Sequence, residues 1–444
     1  MSSPPPSPTH SSTSSEDDER DRFGKLLDIE PAALITLATK ILRDVDPAVP
    51  VALSEVRLID RCSGSFNLVH IFELDAEHKV VVRLPVSGRD GALSDVERRA
   101  LASQVATMRY LRANTALPVP EVYAFDAGIE NEIGAPYMAM EYVPGVSVSM
   151  VWFDDAEGRR EEKRLRILKQ LAELSAQMRE LRFDSIGSLS GEETATPTIG
   201  ECFNGIQPDD DDPDSFEVIS YGPFTTAQSW LQHLRDAIPP STRAPNAYDR
   251  ATTKILDLLL PSLPFLHEER CFSLTMPDFG LQNVMVDEDG NVTALIDWDY
   301  AQTRPSYLAF ARYPSWLTRD WDPLMYGWPH VPEREDSPEE LGRYRKHYLA
   351  ELKAALAGTP DADAYKLTER AHIFEAVYIT LECPPNATAI CQKFIKEATA
   401  VVKGQGIEGL DQDEIGVLLD LGDDELSEAA WEALQKGMKM LMGV

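Results

Sequence analysis

The sequence predicts an α+β protein, a small antiparallel-sheet part followed by a larger, mainly helical part. Two observations carry this. From Val56 to Tyr142, short β-rich runs (VRLID, LVHIFEL, KVVVRLP, then Val122–Phe125 and Tyr137–Tyr142) enclose a single helical stretch. Past the Pro144-Gly145 break, amphipathic stretches of helical period take over. A third observation sets the scale: at 444 residues the chain exceeds the roughly 100–200 of a single domain.

In chain order, residues 1–22 are Ser/Pro-rich and then charged, and are expected to stay unordered because they bury too little apolar surface to offset the entropy of ordering. PAALITLATKILRD predicts a helix over about 30–44. The first two strands are joined by Cys62–Asn67 and the next two by Asp75–His78. A helix over Ser94–Ala113 ends at Asn114, ahead of Pro118–Pro120. Later helices are expected at Glu161–Arg182, Thr226–Ala237, Asn246–Leu260 and Pro338–Leu356. The polar stretch Ser190–Tyr221, with Asp209–Asp212, reads as a surface loop, with an acidic substrate gate as its functional alternative. From Gly404 the chain is acidic, and WEALQKGMKMLM spaces its apolar residues as a helix docking on the body would. The expected divisions are a tail at 1–22, a sheet-based part at 23–143, a helical part at 144–403 and an extension at 404–444.

The net charge of -32 argues against a protein that grips nucleic acid or anionic membrane over a broad surface. The oligomeric state leaves no mark on the sequence. The five cysteines are scattered, with no CxxC pair, which suits a reducing compartment. The start is acidic and lacks the basic-then-apolar order of a signal peptide, and no apolar run approaches the roughly 20 residues of a membrane span. A cytoplasmic location is the expectation.

The chemistry concentrates in SLTMPDFGLQNVMVDEDGNVTALIDWDY, Ser273–Tyr300. Asp278 and Asn283 have the D-x-x-x-x-N spacing of a kinase catalytic loop. Val284–Val286 and Val292–Ile296 read as strands joined around Asp289-Gly290, a hairpin that brings Asn283 and Asp297 to neighbouring strand ends. Phosphoryl transfer needs a carboxylate to orient the attacking hydroxyl and take its proton, and oxygen ligands to hold magnesium across the phosphates. One carboxylate, one amide and a second carboxylate supply those parts. Asp-Gly turns are common; the loop, hairpin and terminal Asp together are much rarer.

PDFGLQNVMVDEDGNVTALIDWDYA resembles the catalytic and metal-binding stretch of the aminoglycoside phosphotransferase family, particularly its fungal members. GSFN at Gly64–Asn67, VVRLP, SQVATMRYLRANTALPVPEVY, YMAMEYVPG, GPF at Gly222–Phe224 and LAFARYPSWL resemble that family in the expected order, over about Val56 to Leu317. The resemblance implies a bilobal, protein-kinase-like fold and transfer of a phosphoryl group from magnesium-ATP to a hydroxyl of a small metabolite. Asp278 would be the catalytic base, and Asn283 and Asp297 the magnesium ligands. Ser63, Gly64, Ser65 and Phe66 would lie over the ATP phosphates, Arg83 would contact them, and Gln104 would stand near the helix position that pairs with that base. Met140–Val143, with Glu141 and Val143, would form the adenine hinge. Alternatives stand beside these roles: a plain hairpin turn at Gly64, an edge-strand cation at Arg83, and solvated helix residues at Glu97 and Gln104. Asp299, if the strand persists, points with Asp297 or else serves as a cap.

Three departures bear on activity. Met276 stands where the family often has a loop-bracing His, Arg83 where kinases usually have Lys, and Gln104 near the usual Glu. The three oxygen donors are all present, which favours an active enzyme over a nucleotide-binding scaffold. A protein kinase is disfavoured, since the metal Asp sits in Ile296-Asp297-Trp298 and Ala309–Pro314 takes the place of an APE segment. Trp316, Trp321 and Trp328, with Asp320 and Asp322, read as a packed aromatic cluster, with an acceptor pocket as the alternative.

Overall fold

The computed structural model describes residues 16–48, 55–155, 158–191, 197–206, 216–238, 247–264, 271–406 and 427–443. They divide into two units, the first comprising Met1–Val105, Glu121–Tyr142 and Asn204–Ser220, the second Ala106–Pro120, Val143–Phe203 and Tyr221–Val444. Against the expected parts at 23–143 and 144–403, residues 106–120 belong to the helical unit and 204–220 to the sheet unit.

In the first unit, helix α1 (Glu16–Phe23) and helix α2 (Pro31–Val45) precede strands β1 (Arg57–Ser63), β2 (Asn67–Glu73) and β3 (Lys79–Pro85). Helix α3 (Asp95–Asn114), of which residues up to Val105 belong to this unit, β4 (Val122–Asp126) and β5 (Tyr137–Glu141) follow. The sheet order is β1-β2-β3-β5-β4, and the pairings are antiparallel. Alternation along β2 buries Leu68, His70 and Phe72. Leu34, Leu37, Ile41 and Leu42 of α2 join that core. The helix begins on Pro31, whose missing N–H is no loss in a first turn.

The expectation of an unordered 1–22 is corrected at its end, where α1 begins at Glu16; residues 1–15 lie outside the described ones. Phe23 and Leu26 are buried in the sheet core, and Glu19 pairs with Arg61 of β1 at 2.7 Å. An apolar anchor just past the charged run supplies the burial that the run itself lacks.

The second unit holds α4 (Val148–Val151), α5 (Arg160–Met178), α6 (Ala227–Ala237), α7 (Ala247–Leu259), α8 (Pro338–Leu356), α9 (Tyr365–Thr368), α10 (Ala371–Glu382), α11 (Pro384–Gly404) and α12 (Glu428–Met442). Its strands are short: β6 (Val146–Ser147), β7 (Arg182–Phe183), β8 (Leu189–Ser190), β9 (Thr198–Ile199), β12 (Phe272–Thr275), β13 (Val284–Val286), β14 (Val292–Leu295) and β15 (Gln302–Arg304). Two three-stranded sheets result, β15-β12-β7 and β14-β13-β6. Pairing of Arg182–Phe183 with β12 ends α5 at Met178, short of the expected Arg182. β10 (Cys202–Ile206) and β11 (Glu217–Tyr221) pair with each other, so the expected loop at 190–221 is partly sheet. Its Asp209–Asp212 lies outside the described residues.

One apolar cluster runs through α6, α7, α10, α11 and α12, from Trp230 and Ile255 to Phe394, Leu434 and Met438. Elsewhere α5 and α8 meet around Arg164, which is 2% exposed beside Asp336 at 5%. Arg164 Nη1 donates to Asp336 Oδ1 at 2.8 Å and its Nε to Trp152 O at 2.7 Å. Trp152 Nε1 donates to Asp336 Oδ2 at 2.7 Å. A buried ion pair this fully hydrogen-bonded holds its geometry, where a half-satisfied one would not. Among the described residues, no helix is long and apolar enough to cross a membrane.

Gly145 has φ +129°, and a Cβ there would stand 2.5 Å from Val286 O, in the strand that β6 pairs with. Gly145→Ala is therefore expected to cost about 2–4 kcal/mol in chemical denaturation, from strained backbone plus the clash. A second expectation concerns His70, whose Nδ1 has no hydrogen-bond partner. Burial, with the Arg61 charge adding to it, holds its imidazole down to about 4 from the ordinary 6.5. The unfolded chain takes up this proton more readily, so the stability is whole above pH 6.5 and drains away toward pH 4. In melts across that window, wild type should lose on the order of 2–3 kcal/mol that His70→Phe does not.

Candidate active site

β12 ends at Thr275, and the chain turns through Met276 and Pro277 to Asp278. It closes in a short helical turn at Leu281–Asn283, where Asn283 N donates to Gly280 O at 3.1 Å. β13 leaves from Asn283 and β14 returns antiparallel, with Val284 opposite Leu295. The turn is locked by Asp287, whose Oδ1 accepts from Asn291 N at 2.8 Å. Beyond the ladder, Ile296 N donates to Asn283 O at 2.9 Å, so Asp297 follows directly on the rung that begins at Asn283. Asp297 adopts a left-handed backbone, φ 64°. That conformation costs a side-chain-bearing residue about 1–2 kcal/mol and collects at sites where the surroundings impose it.

Asn283 is 5% exposed. Its Nδ2 donates to Asp278 Oδ2 at 3.0 Å and to Asp278 O at 3.1 Å. Gln282 Nε2 adds a bond to the same Oδ2 at 2.5 Å. The Asn283 amide thus turns its nitrogen toward Asp278 and its oxygen away. The Asp278 side chain reaches solvent, yet the protein packed around it still disfavours its charge and raises its carboxyl above the ordinary value. The Asp297 charge pushes the same way, while Arg312 and the two amides draw it back.

The segment after β15 underlies this loop. Arg312 Nη2 donates to Met276 O at 2.5 Å and to Pro277 O at 3.4 Å. Ser315 donates to Phe279 O twice, from N at 2.9 Å and from Oγ at 3.1 Å. A cavity of about 10 Å³ lies behind, lined by Ser175, Thr275, Met276, Phe279 and Arg312 among others; it is the size of one water.

Asp278, Asn283 and Asp297 are therefore brought together within one unit. Among the described residues, no cluster of three or more His, Cys, Asp or Glu forms a metal cage. The expected nucleotide residues Ser63, Gly64, Ser65, Phe66, Arg83, Gln104 and Glu141 belong to the sheet unit, and Val143 opens the helical one. Ser63–Phe66 are exposed at the β1–β2 turn, where Gly64 N donates to Asn67 O at 2.9 Å. Phe66 lies against Phe216, ring centroids 5.3 Å apart. Gln104 is buried on α3, and Glu141 Oε2 accepts from Glu121 N at 3.0 Å.

The alternatives fall at Arg83, at Asp299 and at Gln104, which is buried rather than solvated. Arg83 is 7% exposed in the central strand, paired between Val69 and Met138, so it is not an edge-strand cation. Glu97 caps the start of α3, its Oε2 accepting from Ser94 N at 2.7 Å. β14 stops at Leu295 and the chain turns through Asp299, so period-2 alternation no longer places Asp299 with Asp297. Two of the three tryptophans are packed, with ring centroids 5.5 Å apart for Trp316 and Trp152 and 5.2 Å for Trp321 and Phe394, while Trp328 is half-buried. Asp320 pairs with Arg345 at 2.6 Å, and Asp322 Oδ2 accepts from Asn386 at 2.7 Å. Sequence reasoning missed Gln282 and Arg312. The signal for Arg312 was a lone cation within the apolar run Tyr307–Leu317.

The pattern of the phosphotransferase enzyme family matches residues 69–358. A subtelomeric hrmA-associated cluster protein of Aspergillus fumigatus is 36% identical over 126 residues, 28% of this chain and 23% of that protein. The Kluyveromyces lactis protein named altered inheritance of mitochondria protein 9, mitochondrial, is 28% identical over 361 residues, 67% of this chain and 58% of that protein. The match thus spans less than two thirds of either relative. A choline kinase structure from Cryptosporidium parvum aligns at 9% identity with TM-score 0.45, over 85% of this chain and 97% of that one. The expected cytoplasmic location is corrected, because relatives from several yeasts carry the mitochondrial name. Scattered free cysteines fit any reducing compartment and do not choose among them. With its matched region covering most of β2, then β3 to β5, the catalytic-type loop and the hairpin, the chain belongs to the phosphotransferase enzyme family.

Proposed function

We propose that the protein transfers the γ-phosphoryl group of magnesium-ATP to a hydroxyl of a small molecule. The observation that carries this reading is the convergence of Asp278, Asn283 and Asp297 on one loop and hairpin. The outward amide oxygen of Asn283 and the Asp297 carboxylate suit magnesium, which keeps waters and takes phosphate oxygens rather than a full protein cage. Bound there, the cation would offset the charge on the phosphates. Asp278, held through Oδ2 by two amides, has Oδ1 left to meet the acceptor. As the acceptor oxygen bonds to phosphorus and the bridge to ADP breaks, Asp278 takes the hydroxyl proton. Its raised proton affinity favours that transfer.

Ser63–Phe66 and Arg83 would hold the phosphates, with Gln104 near the helix position that pairs with Arg83, and Glu141 and Val143 at the adenine. A guanidinium in the central strand offers two parallel donors to phosphate oxygens, unlike an ammonium. The acidic chain favours a small acceptor over nucleic acid, and the yeast relatives' names favour a mitochondrial setting.

Calorimetry with ATP tests this. Wild type should bind ATP in a magnesium-dependent manner, Asp297→Asn should weaken binding at least ~10-fold, and Asp278→Asn should bind yet lose phosphate transfer by ~100-fold or more. Folded wild type that binds no ATP would sink the reading.

A further inference from the structure

We propose that Arg312, held by Glu375, is a positioning residue that fixes the Asp278 loop by grasping its main-chain carbonyls; the role rests on the phosphotransferase reading above. Arg312 is 7% exposed and Glu375, on α10, is also 7% exposed. The guanidinium reaches two consecutive carbonyls, Met276 O at 2.5 Å and Pro277 O at 3.4 Å, immediately before Asp278. It lies over the ring of Phe279, immediately after Asp278, at 5.6 Å. Contacts on both sides of one residue fix where that residue's side chain starts.

The other end of Arg312 faces Glu375, with Nη1 4.0 Å from Oε1. Glu375 is steadied by Thr318, and its Oε2 has no hydrogen-bond partner. A carboxylate left partly unsatisfied in the interior is poor stabilisation. It is intelligible as the counter-charge that keeps a buried guanidinium aimed at the loop. Neither Met276 nor Pro277 has a side chain that can donate to a carbonyl, so the loop draws its donors from the segment beneath it. Ser315 supplies two more at Phe279 O.

Arg312→Met alone strands Glu375 and is expected to destabilise the fold. Arg312→Met with Glu375→Met removes both charges at similar volume, and replacing a buried pair in this way is often neutral. In the full chain, this double variant should melt close to wild type and keep its ATP affinity. Hydrogen exchange over 278–283 should quicken ~10-fold or more, and magnesium-ATP turnover with water as acceptor should fall ~10–100-fold without a change in KM. Arg312→Lys, which keeps the charge but gathers its donors on one nitrogen, should fall between. A folded double variant with wild-type exchange in the loop would overturn the proposal. So would a double variant that cannot fold, since the pair would then be merely structural. If wild type itself neither binds nor hydrolyses ATP, the phosphotransferase reading fails, while the exchange comparison still decides whether Arg312 holds the loop.

Discussion

The charge of Asp278 is disfavoured by the protein packed around it and, less strongly, by the nearby Asp297, and the loop answers both. Amide nitrogens of Gln282 and Asn283 fall on one oxygen of Asp278, and the Arg312 charge sits below the loop. The main chain supplies the rest: the rung from Ile296 to Asn283 sets where Asp297 follows, and Asp297 takes a left-handed backbone there. Neutral dipoles and one remote cation allow both acids to coexist without cancelling either. A direct salt bridge to Asp278 would have quenched the charge it protects.

The parts legible in the sequence were those with a period or a spacing. β2 and β3 alternate, α2 and α8 repeat their apolar residues at helical intervals, and the D-x-x-x-x-N loop with its Asp-Gly hairpin has a fixed register. Strands of two or three residues, such as β6 and β7, leave no period, and their existence depends on partners far along the chain. Arg83 was ambiguous because one strand's position in a sheet is a tertiary fact; pairing with β5 puts it at the centre. Arg312 was missed for a related reason. Its function lies in carbonyls that precede it by more than thirty residues, and carbonyls carry no side-chain signature.

Unordered and ordered segments were also separated by single residues. A charged run looks unable to fold until Phe23 is seen to insert in the sheet core, which anchors the helix before it. The polar composition of Ser190–Tyr221 suggested a loop, although backbone pairing between β10 and β11 within it needs no apolar side chains.

The family pattern stops at residue 358, but the apolar cluster does not. α11 and α12 approach so closely that a Cβ on Gly437 would stand 2.6 Å from Ala398 O. Leu434, Met438 and Met442 complete a surface begun by Trp230 and Ile255 in the shared portion. What recurs across the family is therefore smaller than what must be solvent-free in this chain. A protein trimmed to the recurring portion would lay open the faces of α6 and α7, and would be expected to associate through them rather than stand as a minimal enzyme.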